Sequence, residues 1–146
     1  MPLQIFLTLL FLISACSAVA AEFLNLFPTK KPVIAAVMIE SHWKTPSDFK
    51  KSQDWSIEQA RIAHEGGMDG ILLEFRGGDI LDRRLSPEQL EKMASLTRQV
   101  IASTPLVVGV EILWHFPGST LQLAKSSGAR FVRLDFFSDR VIANKM

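Results

Sequence analysis

Four short apolar runs recur along the chain, each set apart from the next by a stretch with helix-start signals, and this alternation limits the fold more than any other feature. The runs are residues 33–40 (VIAAVMIE), 70–75 (GILLEF), 106–113 (LVVGVEIL) and 130–137 (RFVRLDFF). Each has the length and apolar content of a buried strand. Residues 41–54 are polar, contain Pro46 and read as a loop. Ser56 opens the sequence S-I-E-Q, a capping box with Gln59 at N3, and the helix it starts runs to about Glu65 and stops at Gly66-Gly67. Residues 76–85 form a second loop holding Gly77-Gly78-Asp79, after which Ser86-Pro87-Glu88-Gln89 is another capping box with proline in its favoured first turn. Leu90, Met93, Ala94, Thr97, Val100 and Ile101 then share one helical face. A short helix over residues 119–126 is closed by Gly128. Strands alternating with helices in this way predict βαβ units and a parallel sheet.

Two architectures use that order, and the parity of polar residues chooses between them. In the fourth run Val132, Leu134 and Phe136 oppose Arg133 and Asp135; in the third, Val108, Val110 and Ile112 oppose Gly109 and Glu111. The second sets Ile71, Leu73 and Phe75 against Leu72 and Glu74, and the first sets Val37 and Ile39 against Met38 and Glu40. An open doubly wound sheet is covered by helices on both faces and should be apolar on both. One oily face and one face that turns acidic toward the strand C-termini fit a barrel, whose interior holds polar groups at its upper end. A full barrel needs about 250 residues, so four strands in 146 residues predict an α/β chain forming the first half of a (β/α)8 barrel of the TIM type over residues 31–146. Four parallel strands leave two edges to be covered, by self-association or by a missing C-terminal half.

The N-terminus is of a different kind. Residues 3–21 carry no charged side chain, residues 5–15 form an apolar block, and Ala18-Val19-Ala20 is an A-x-A pattern. Residues 1–20 are therefore expected to be a signal peptide, with the alternatives of a lipoprotein signal ending at Cys16 or an uncleaved hydrophobic helix as anchor. Each places the protein outside the cytoplasm or on a membrane. Cys16 is the single cysteine, so cleavage before Ala21 would leave no thiol and no disulfide. With 16 Lys+Arg against 15 Asp+Glu, the chain lacks the basic surplus that nucleic-acid binding requires.

If the parity holds, Glu40, Glu74, Glu111 and Asp135 converge at the barrel mouth, with Arg133 one layer below Asp135. Crowded carboxylates push each other's pKa values apart, which can keep one protonated as a general acid; they can also bind a divalent cation through oxygen. The alternative is an arginine–carboxylate network that merely satisfies buried charge. Glu74, Asp135, Glu111 and His115 are the candidate catalytic residues; Arg133, Glu40, Gly77 and Gly78 are the candidate substrate contacts. No metal or cofactor is assigned. His42 and His64 read as loop and helix-surface residues, and Trp43, Trp55 and Trp114 as packing residues.

Several of these segments also carry a family resemblance. Pro32-Val33-Ile34, the run EGGMDGILLE over residues 65–74, GVEIL over 109–113 and SGARFVRLD over 127–135 follow one another in the order and spacing of the BtpA family of (β/α)8-barrel proteins, which the chain resembles from Lys31 to about Asp139. The family usually has His at Met38, Asn at Phe75, Asn at Glu111, Arg-Asn-Asp at Trp114-His115-Phe116 and Val-Asn at Leu134-Asp135. Its members are linked to photosystem I biogenesis, and its barrel resembles phosphate-binding barrels. The resemblance thus implies either a site for a small, phosphorylated metabolite, bound or transformed, or a non-catalytic, membrane-associated assembly factor; a residual half-domain without activity is the third outcome.

Overall fold

In a computed structural model the described residues are 22–76, 85–113 and 117–135. The chain divides into two units at Pro32. In the first, residues 22–24 make a helical turn, and the Phe23 and Phe27 rings meet edge to face with centroids 5.3 Å apart. The expected signal or anchor segment lies outside the described residues, among which no helix is long and apolar enough to cross a membrane.

The second unit has the elements β1 (Ile34–Glu40), α1 (Pro46–Glu65), β2 (Gly70–Arg76), α2 (Pro87–Ser103), β3 (Val107–Ile112), α3 (Pro117–Ser127) and β4 (Phe131–Val132). The strands form one sheet in the order β1-β2-β3-β4, every pair parallel. Parallel crossovers are right-handed, so an order that never reverses sends every helix to the same face. A doubly wound sheet would need a reversal. The four-stranded parallel unit is consistent with half of a TIM-type barrel.

Register sorts the side chains into rows. Val37, Leu73, Val110 and Val132 are aligned across the sheet, as are Ile39, Phe75 and Ile112. Leu73, Val110 and Phe75 are wholly buried, in one core with Met93, Ala94, Leu96 and Val100 of α2, Ala60 and Ala63 of α1 and Leu123 of α3. The opposite face carries the alternate residues: Ala36, Leu72, Gly109 and Phe131 in one row, then Met38, Glu74 and Glu111 in the next. At the N-terminal end of the sheet the Asp69 carboxylate accepts the Val33 N–H at 2.8 Å, tying the start of β1 to the turn before β2.

Two boundaries differ most from the sequence expectation. The first helix begins at Pro46, ten residues ahead of the Ser56 capping box, which makes much of the expected 41–54 loop helical. Thr45 is the true N-cap: its hydroxyl accepts from the Asp48 N–H, and the Asp48 carboxylate accepts from the Thr45 N–H. Proline at N1 starts a helix because its missing donor is not needed there, and Ser56, fully buried in mid-helix, donates its hydroxyl to the Ser52 carbonyl instead. The second boundary is β4, which spans only Phe131–Val132; the Arg133 N–H makes the last bond to β3, residues 134–135 leave the ladder, and residues 136–137 of the expected run lie outside the described residues. The Ser86 capping box is present as expected, with Gln89 closing it.

Gly109 is required by its neighbour. A Cβ at this position would lie 2.3 Å from Cε2 and Cζ of the Phe131 ring, in the same row. Gly109→Ala should therefore cost about 1–3 kcal/mol as the ring is forced aside; a urea midpoint unchanged from wild type would show that Phe131 is free to move.

Candidate functional site

Glu74 and Glu111 are cross-strand partners on β2 and β3, so their side chains leave the sheet on the same side and at the same height. Arg133 follows directly on Val132, the partner of Val110, and its N–H donates to the Val110 carbonyl at 3.3 Å. That bond extends the row by one position and brings the guanidinium beside both acids. Arg133 Nη1 donates to Glu74 Oε1 at 2.5 Å, Nη2 stands 2.7 Å from Glu111 Oε2, and Asp135 Oδ1 is 3.6 Å from the same nitrogen.

The two glutamates are deeply placed, with side chains 7% and 1% exposed, while the arginine is 45% exposed. The Glu111 contact is electrostatic rather than an aligned hydrogen bond, and neither Glu111 oxygen has a hydrogen-bond partner among the described residues. Burial pushes the Glu111 carboxyl up to about 7, helped by the neighbouring Asp135 and Glu74 carboxyls and opposed by the Arg133 charge. For Arg133, burial disfavours the charge, but Glu111, Glu74 and Asp135 together outweigh it and raise the guanidinium pKa.

The expected convergence is met by three of the four carboxylates. Glu40 stands one row higher, opposite Arg76, and is largely exposed, with its carboxylate 3.3 Å from Arg76 Nη1. Arg76, read from the sequence as a loop residue, is the last residue of β2 and takes Glu40 away from the cluster. His115, Gly77 and Gly78 lie outside the described residues. His42 and His64 are exposed. Trp43 packs as expected, its ring edge-on to Phe49 with centroids 5.0 Å apart and its indole N–H donated to Ser52 Oγ at 2.8 Å; Trp55 does not, being 45% exposed. Among the described residues no group of His, Cys, Asp or Glu is arranged to hold a metal ion.

Thr120 was not singled out in the sequence. It is fully buried in the first turn of α3, and its hydroxyl accepts the Ile112 N–H at 3.2 Å. This bond joins the end of β3 to the following helix one residue past Glu111. A threonine four positions into a helix that follows a strand end is the one signal that pointed to it.

The alternation, the row of acids and the arginine are accompanied by a match to the BtpA family model over residues 29–145. The chain belongs to the BtpA family. Similar proteins are an uncharacterized protein of Pyrococcus furiosus, 26% identical over 110 residues, covering 73% of this chain and 42% of that protein. The sgc region protein SgcQ of Escherichia coli is 27% identical over 110 residues, covering 72% and 41%. An uncharacterized protein of Archaeoglobus fulgidus is 26% identical over 89 residues, covering 61% and 36%. This BtpA-family chain thus spans less than half the length of these curated relatives. No solved structure matches it.

Proposed function

We propose that this BtpA-family chain contributes the opening half of a barrel whose mouth binds a small, phosphorylated metabolite, with Glu74, Glu111, Arg133 and Asp135 contacting the part of the ligand that reaches the strand ends. The observation that carries this reading is Glu111: a carboxyl 1% exposed, beside a guanidinium, with no hydrogen bond to either oxygen among the described residues. Buried polar groups are normally satisfied, and an arginine network serving stability alone would pair the acid fully. The C-terminal ends of parallel strands are also where barrels of this class place their sites. In such a site Glu111 is the group suited to carry a proton, since its carboxyl is held near neutrality. Covering of the sheet edges by a second copy, or by further βα units of a longer protein, belongs to the same proposal.

A second reading, a non-catalytic assembly factor attached to a membrane or exported, is favoured by the uncharged run over residues 3–21.

A thermal-shift screen of phosphorylated metabolites, with divalent cations as a parallel arm, separates the two. A ligand present at a hundred times its Kd stabilises by about 2.7 kcal/mol, and that shift should vanish in the Glu74→Gln, Asp135→Asn double variant. If no compound shifts the wild type, the assembly reading prevails.

A further inference from the structure

We infer that the Glu74–Glu111–Asp135 cluster receives a positively charged, hydrogen-bond-donating nitrogen of the ligand, an ammonium or amidinium group, and turns away anions. The inference rests on the small-molecule reading above and assigns the end of the ligand that these residues meet.

Donors and acceptors do not balance in the cluster. Arg133 gives Nη1 to Glu74 at 2.5 Å and sets Nη2 between Glu111 at 2.7 Å and Asp135 at 3.6 Å. A phosphate or carboxylate arriving here meets three acids and an arginine already engaged by all of them. Glu111 is buried among these groups with two acceptor oxygens that receive no hydrogen bond. A hydroxyl group would supply a donor but leave the surplus negative charge in place. A cationic nitrogen supplies both, and opposite charge is worth most where water is excluded.

The remaining surroundings do not reverse this balance. From β1 the aligned residue is Met38, which is uncharged, and one row higher Glu40 and Arg76 face each other at 3.3 Å. Among the described residues the charged groups facing Glu111 are therefore Glu74 from β2 and Arg133 and Asp135 from the segment after β4. Because the Glu111 carboxyl is pushed up to about 7, the cluster gains a negative charge as pH rises through neutrality, and its hold on a cation should tighten in the same direction.

The test is calorimetric titration of the full chain at low ionic strength with putrescine and, separately, with inorganic phosphate, on either side of neutral pH. Putrescine should bind severalfold more tightly on the alkaline side and about tenfold more weakly to Glu111→Gln, in keeping with removal of one nearby charge. Phosphate should give no binding heat. Asp135→Asn, at a more exposed position, should weaken putrescine in the same sense and keeps the test decisive if Glu111→Gln fails to fold. Preferential binding of phosphate, or putrescine binding indifferent to both substitutions, overturns the inference. If putrescine fails while phosphorylated metabolites still give a shift that the double variant abolishes, the small-molecule reading stands and the charge assignment falls. If no probe binds in either experiment, both fall.

Discussion

Replacing Glu111 with Gln should remove a large part of the pH dependence of stability. In the folded protein this carboxyl is pushed up to about 7, against an ordinary value of 4.5. Between those values the native state keeps a proton that the unfolded chain has released, so wild-type stability falls as pH rises; below 4.5 both states hold it and the contribution is complete. A displacement of this size is worth about 3 kcal/mol, on the scale of about 1.4 kcal/mol per unit. Glutamine keeps the shape and cannot titrate. The stability difference between wild type and Glu111→Gln, measured by urea unfolding at intervals from about pH 5 to about pH 8, should therefore move by roughly that amount in favour of the variant. Parallel curves for the two proteins would mean that Glu111 is ionised throughout and that Arg133 alone settles its charge.

Leu73→Ala should produce the other large effect. Leu73 is wholly buried in β2, between Val37 and Val110 in its row and under the helices. Truncation removes the transfer energy of the lost methyl groups and leaves a cavity that a sheet held by strands on both sides cannot close. A cost of about 2–5 kcal/mol is expected. Since marginal domains have about 5–15 kcal/mol in total, the variant should show a sharply lower urea midpoint, with an unchanged slope. A loss below about 1 kcal/mol would show that the core repacks.

The sheet was legible because strands have a period of two, and the parity of Leu73 against Glu74, or Val110 against Glu111, survives folding as the division between the helix-covered face and the acidic one. The same parity placed Glu74, Glu111 and Arg133 on one face without knowledge of register, although they stand at different distances from the ends of their apolar runs. Parity alone does not give height. Glu40 shares the face of Glu74 but lies two residues further along, about 7 Å at strand rise, and Arg76 is level with it. The start of the first helix is hidden for a related reason. Pro46 within a polar stretch reads as a loop, whereas Thr45 and Asp48 form a reciprocal cap around it; proline has opposite meanings inside and at the head of a helix. The brevity of β4 has no sequence signal, because the chain leaves the ladder after Arg133 while the Arg133 and Asp135 side chains join the charged cluster.

Each strand pairs with the one that precedes it in the chain, without exception among the four. The three pairings among the described strands are therefore each made with the strand synthesised just before. This order keeps contacting residues closer in sequence than a parallel sheet whose strand order reverses, and lower contact order favours faster folding. Growth by repeated addition at one edge also lets such a sheet be lengthened by duplication of a strand–helix unit without disturbing the pairs already made.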